Sequence, residues 1–382
     1  MTLRIAFRSD ASLEMGSGHV MRCLTLADAL KARGAQCHFI SRAHPGHLME
    51  VIRQRGYKVN CLAAPVQKGH AAVNTIAKTV VDTDRNKPTE PAHAAWLGST
   101  WQADVQETSI ALASLKPDWL VVDHYALDQP WEEALAVHCR QLMVIDDLAD
   151  RPHHCNMLLD QNLGRQSQDY ADLVPSHCQV LTGPEFALLR PEFAALRIYS
   201  LQRRQAQPAL RQLLITMGGV DQPNATGQVL QALNGCALPP ACRITVVMGV
   251  TAPWLQNVQE MAGQMLWPTE VVVNVNDMAQ RMADSDLAIG AAGSTSWERC
   301  CLGLPTLMVV LADNQQPSAQ ALVAAHAART IGAVSDIAAQ LPLAVRKLSD
   351  SECQISMSRA ASAITDGQGV DKILKAMGAF NA

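Results

Sequence analysis

The chain has 382 residues, 48% hydrophobic and 17% charged, with 31 Lys+Arg against 35 Asp+Glu and a formal net charge of -4. That length can bury two cores, and the mix excludes a disordered, collagen-like or disulfide-stapled protein. With no cationic excess and only 4% aromatic residues, nothing supports a nucleic-acid partner.

In chain order, short apolar, β-branched runs alternate with stretches of helical period, which predicts α/β units around parallel sheets. Strands are expected at Leu3–Phe7, Gln36–Ile40, Trp119–Val122, Leu142–Ile145 and Met157–Leu159, with the clearest helices at Val20–Ala32 and Gln102–Ser114. Between Ala63 and Trp101 the pattern dissolves into polar, Pro- and His-bearing sequence, and so long a loop in a compact domain is usually functional or mobile. Tyr199–Pro208 is polar, rich in Arg and Gln, and reads as an interdomain linker. Strands resume at Gln212–Thr216, Ile244–Met248, Glu270–Val273, Leu287–Ile289 and Thr306–Val310, with a helix opening near Pro223. The expectation is two similar α/β domains, residues 1–198 and 209–382, facing across a cleft.

The 11 cysteines are an odd number with no CxxC spacing, which fits reduced thiols in the cytosol. The N-terminus lacks the three regions of a signal peptide, and no apolar run approaches the ~18 residues of a membrane span. A cytoplasmic protein without membrane insertion is expected.

Chemistry-bearing residues fall at strand ends. Gly16-Ser17-Gly18-His19 lies between the first strand and first helix, where backbone can approach a ligand and the helix dipole favours a neutral, proton-accepting imidazole. A Gly-rich turn with a capping histidine fits the same spacing. Arg22 and the missing last glycine argue against a dinucleotide fingerprint. Asp123-His124-Tyr125 and Asp146-Asp147 each follow a strand, with Tyr125 either in a pocket or on the surface. In the second half, Met217-Gly218-Gly219-Val220-Asp221 and Gly290-Ala291-Ala292-Gly293-Ser294-Thr295 are phosphate-type loops without the Lys of a P-loop. Glu298, one turn further on, suits ribose hydroxyls, although from spacing alone a capping box is the commoner reading. Asn274-Val275-Asn276-Asp277-Met278 could offer backbone to a flat base, and Asn314-Gln315-Gln316 faces the same edge, although both also read as helix caps. His153-His154-Cys155 has no partner at metal-ligand spacing, and no Asp-x-Asp is present. Neither a metal nor a cofactor is expected.

Taken together, Phe7-Arg8-Ser9-Asp10, Gly16-Ser17-Gly18-His19 with Arg22, Asp123-His124-Tyr125, Gly183-Pro184 with Leu188-Leu189-Arg190-Pro191-Glu192-Phe193, Met217-Gly218-Gly219, and Gly293-Ser294-Thr295 with Glu298 resemble one family. They are similar, in order and over nearly the whole chain, to the UDP-2,4-diacetamido-2,4,6-trideoxy-β-L-altropyranose hydrolases of pseudaminic acid biosynthesis. The resemblance implies a GT-B fold of two Rossmann-like domains, with sugar and water in the first and UDP in the second. It implies that His19 is the catalytic histidine and that Tyr125 and Asn314 lie near the sugar. The substrate it implies is a small molecule, a UDP-diacetamido sugar. The chain departs from compact relatives in the polar stretch Ala63–Trp101, to which the resemblance gives no role.

Overall fold

The computed structural model describes residues 2–64, 90–206, 210–348 and 350–378. The first half forms a seven-stranded sheet from β1 (Arg4–Ser9), β2 (Gln36–Arg42), β3 (Lys58–Leu62), β4 (Trp119–Asp123), β5 (Gln141–Ile145), β6 (Met157–Asp160) and β7 (Gln179–Thr182). The strands run in the order β3-β2-β1-β4-β5-β6-β7, all parallel. Helices α1 (Gly18–Ala32), α2 (Met49–Gln54), α3 (Trp101–Leu115) and α4 (Gln129–Ala136) connect them. After α5 (Pro191–Ala206), a six-stranded sheet is built from β8 (Gln212–Thr216), β9 (Arg243–Met248), β10 (Thr269–Val273), β11 (Leu287–Ala291), β12 (Thr306–Val310) and β13 (Arg329–Ala333). Its order is β10-β9-β8-β11-β12-β13, again parallel. Its helices are α6 (Ala225–Leu233), α7 (Leu255–Ala262), α8 (Met278–Asp284), α9 (Thr295–Cys301), α10 (Gln316–Ala324), α11 (Ile337–Lys347), α12 (Ser351–Ser362) and α13 (Gly369–Ala376).

Alternation along each strand explains the continuous apolar runs. In β1, Ile5 and Phe7 pack on α1 and α13, while Ala6 joins Leu120 and Val122 of β4 in a second core on the opposite face. In β8, Leu213 and Ile215 face one core, with Leu230 of α6 and Leu341 of α11, and Leu214 faces another, with Met282 of α8. Both faces of both sheets are therefore covered, as parallel sheets require. Each such Leu or Ile contributes about 1.5–3 kcal/mol by burial.

Strands β3, β7 and β13 were not expected from the sequence, and the phosphate-type loop at Gly218 leads into α6 only at Ala225. The segment expected as a linker, Tyr199–Pro208, is helical through Ala206. Its polar residues are used for docking. Ser200 donates to the Leu302 carbonyl at 2.7 Å, and the Arg204 guanidinium is buried against the carbonyls of Leu302, Ser285 and Met282. Conversely α13 returns to the first domain, where Ile373, Leu374 and Met377 enter its core. Among the described residues, no helix is long and apolar enough to cross a membrane.

Candidate functional site

Open parallel sheets bind ligands beyond the strand carboxyl ends, where the strand order reverses. The first sheet reverses between β1 and β4, and the second between β8 and β11. The loops at both switch points meet in one cleft. A β-carbon placed on Gly219 would lie 3.3 Å from Ser17 Oγ, and one on Gly18 would lie 3.7 Å from Ser294 Oγ. The first distance is tight and the second an ordinary contact, so it is at Gly219 that glycine eases the approach of the domains.

At the first switch point, β1 runs into the Gly16–Gly18 loop and α1, which carries His19 and Arg22, while β4 ends at Asp123. His19 Nδ1 lies 2.6 Å from Asp123 Oδ1. Arg22 holds the same carboxylate with Nε at 2.6 Å and Nη2 at 2.7 Å, and reaches Asp147 with Nη1. Burial works against the Asp123 charge, but Arg22 and His19 outweigh it and keep the carboxyl below its ordinary range. An ionised Asp123 can only accept, so His19 donates from Nδ1, which leaves Nε2 as the acceptor of the neutral ring. Tyr125 packs edge-on to His19 at 4.5 Å and donates to Asp147 at 2.7 Å. Burial and Asp147 push its phenol far above the usual range, so it serves as a donor and not as a base.

Behind this loop lies a buried ion network. Arg8 pairs with Asp10 and Asp104, both at 2.7 Å, and Arg42 pairs with Asp104. His124, beside Tyr125 in sequence, points away from the cleft toward Asp10, and burial lowers its pKa. Asp146 is likewise inward, held by Arg151 and by the amide of Ala149. His153 pairs with Glu132 at 2.7 Å. Among the described residues no group of three or more His, Cys, Asp or Glu is placed to hold a metal ion.

At the second switch point the two phosphate-type loops differ. The first amides of α6 are already taken, since Asp221 accepts from Ala225 and Thr226, and Asn224 accepts from Gly227. Gly218 and Gly219 therefore line the cleft without a free helix N-terminus behind them, contrary to the sequence expectation. At α9 the side chain of Ser294 makes no cap bond. Glu298 is not part of a capping pair. Its carboxylate faces Arg190 at 3.7 Å, and burial, opposed by Arg190, pushes it up to about 7.

Two adjoining cavities share Ser17, Gly18, Arg22, Gly218, Gly219, Ser294 and Thr295 as lining. The first, about 250 Å³, adds Val275, Met278 and Glu298 from the second domain and Arg190. The second, about 380 Å³, adds Gly16, His19, Tyr125, Gly293, Asn314 and Gln315. His19, Tyr125, Glu298, Val275, Met278, Asn314 and Gln315 thus face one or other cavity, whereas Asn276, Asp277 and Gln316 of the same segments do not line either. Sequence reasoning placed Asp147 at a strand end without a role, and it passed over Asp123 as the partner of His19 and Asn162 and Trp96, which also line the second cavity. The position of Asp123 at a strand end, on the same edge as His19, was the available signal. Trp96 lay hidden in the stretch Ala63–Trp101, of which residues 65–89 fall outside the described residues.

The architecture is the GT-B fold. The chain superposes on MurG of Acinetobacter baumannii with a TM-score of 0.67 at 15% identity, covering 100% of both chains. It superposes on a calicheamicin glycosyltransferase with a TM-score of 0.60, also at 15% identity and 100% of both. Residues 224–375 match the glycosyltransferase family 28 C-terminal domain. In sequence the chain is 22% identical over 317 residues to a UDP-2,4-diacetamido-2,4,6-trideoxy-beta-L-altropyranose hydrolase of Campylobacter jejuni, covering 83% of this chain and 95% of that one. It is 23% identical over 318 residues to an uncharacterized protein of Methanocaldococcus jannaschii, covering 82% of this chain but only 56% of that relative's length.

Proposed function

We propose that this protein hydrolyses a UDP-sugar, UDP-2,4-diacetamido-2,4,6-trideoxy-β-L-altropyranose, to UDP and the free sugar, with inversion at the anomeric carbon. The observation that carries the reading is the His19–Asp123 pair opening onto a cavity continuous with a second one lined by Glu298 and the α9 loop. In this reading the first cavity takes uridine, with Val275 and Met278 against the base and Glu298 on the ribose hydroxyls. The diphosphate lies at the seam by Gly18, Gly219, Ser294 and Thr295, and the sugar fills the second cavity near Tyr125, Asn314 and Gln315.

His19 Nε2 accepts a proton from water, and the water oxygen bonds to the anomeric carbon as the bond from that carbon to the diphosphate oxygen breaks. The electron pair leaves on UDP, and the imidazolium that forms is stabilised by Asp123. Ordinary glycosidases need a second carboxylic acid to protonate a poor leaving group. A diphosphate leaves as a stable anion, so the backbone N–H groups of Ser294 and Thr295 can take that role.

A GT-B glycosyltransferase delivering the same sugar to an acceptor is the second reading, favoured by the family 28 match over residues 224–375. UDP release from candidate UDP-diacetamido sugars, with and without acceptor, followed by NMR of the anomeric proton, separates the two. Release without acceptor, giving the inverted free sugar, upholds hydrolysis. Release only with an acceptor overturns it in favour of transfer.

A further inference from the structure

The second cavity has an apolar wall that proton transfer at His19 does not use. Leu13, Met15 and Trp96 line it beside Tyr125. Leu13 is 42% exposed, a large apolar side chain left uncovered at the cavity. Trp96 comes from a single 3-10 turn, Ala94–Leu97, that belongs to neither sheet.

Its indole is held from several sides. It stacks on Tyr125 at 5.9 Å between centroids and 24° between planes, and packs against His93 at 4.4 Å. Its N–H donates to Glu14 at 2.9 Å. An aromatic plane already fixed, with its one polar group satisfied, loses little freedom when a ligand lies on it. Polar groups line the same cavity close by, among them His19, Asp147 and Asn314. A fixed aromatic side chain next to a few polar groups suits a ligand with one apolar face and one polar edge.

We propose that Trp96, with Leu13 and Met15, is the platform that receives the apolar face of the sugar and selects rings bearing methyl groups, whether deoxy or N-acetyl. The proposal rests on the nucleotide-sugar reading above. A methyl group gains by leaving water against the indole. A hydroxyl in the same place loses its water and finds no acceptor on an indole face, which penalises a fully hydroxylated ring.

The test uses Trp96→Ala and Trp96→Phe in the full chain. UDP release is measured from a UDP-2,4-diacetamido-2,4,6-trideoxyhexose, from UDP-N-acetylglucosamine and from UDP-glucose, together with the inhibition constant of UDP. Trp96→Ala is expected to raise KM for the diacetamido substrate roughly tenfold, the size of one good aromatic contact. It should shrink the preference over UDP-glucose and leave UDP inhibition unchanged, and Trp96→Phe should recover most of the loss. An unchanged KM and preference overturns the platform, as does a UDP inhibition constant that rises in step with KM. If the wild type releases UDP from none of the three, hydrolysis is refuted. Calorimetric titration of the three compounds then decides the platform alone. A loss of affinity in Trp96→Ala confined to the methyl-bearing sugars upholds it, and equal affinities, or no binding by the wild type, overturn it.

Discussion

At the scale of single residues the site turns on which groups are free to react. Asp147 is occupied by Arg22 and Tyr125, and Asp123 by His19 and Arg22, whereas the hydrogen bonds of the His19 ring to described residues all lie at Nδ1. His19→Ala is therefore expected to lower kcat by about 10²–10⁴, the usual share of a general base, with the UDP inhibition constant unchanged. Near-wild-type turnover would remove His19 from the chemistry. Glu298 makes a different prediction, because burial holds its carboxyl near 7. Ribose hydroxyls donate, so they favour the ionised form, which is populated as pH rises through that value. UDP affinity should thus strengthen between about pH 6 and pH 8 and level off above. Phosphate protonation adds its own slope, so the comparison that matters is with Glu298→Gln, whose profile should lose the Glu298 contribution and whose KM should rise more than its kcat falls. Identical pH profiles for the two proteins would show that Glu298 does not contact the nucleotide.

At the scale of elements, function is carried by loops that the sheets hold in contact. A β-carbon on Gly249, after β9, would overlap the carbonyl of Gly219 in the loop after β8. Gly249→Ala should therefore displace the Gly218–Gly219 loop and weaken UDP inhibition, by roughly tenfold if one backbone contact of the diphosphate is lost. An unchanged inhibition constant would mean that this loop does not touch UDP. The elements also differ in how far the sequence revealed them. Strands β1, β4, β8, β11 and β12 lie inside their sheets, covered on both faces, so they read as unbroken apolar runs. The strands that escaped notice, β3, β7 and β13, are all at sheet edges, where Lys58, Asn60, Gln179 and Arg329 are tolerated. The second half of α5 looked like a linker because Arg203 and Arg204 suggest solvent, yet Arg204 is buried by donating to carbonyls. The site itself was legible where small residues mark loops, at Gly16–Gly18 and Gly293–Thr295. It was illegible where meaning depends on direction. His124 and Asp123 are neighbours in sequence, but strand alternation and the end of β4 send one to Asp10 and the other to His19.

At the scale of the whole molecule, each domain lends a helix to the other. Helix α5 leaves the first sheet and docks under α9 and α12 of the second domain, where Arg197 donates to the carbonyls of Cys301 and Ser362. Helix α13, beyond the last strand of the second sheet, crosses back to α1 and to the turn at Pro184–Phe186. Two exposed ion pairs, Arg33–Asp371 and Lys372–Glu185, flank that contact, and such pairs are worth little by themselves. The contact is held by Ile373 and Leu374, which are 0% and 3% exposed in the first domain's core. No residue of α13 lines either cavity, so its contribution to stability can be separated from chemistry. Ile373→Ala removes buried methyl groups and leaves a cavity, for which a loss of about 2–5 kcal/mol is expected. Urea unfolding followed by circular dichroism should show this as a lower midpoint, while kcat and KM of the folded variant stay at wild-type values. A loss under about 0.5 kcal/mol, the range of ordinary surface changes, would mean that α13 does not pack on the first domain. A changed KM in the folded variant would mean instead that the crossed helices also set the spacing of the cleft.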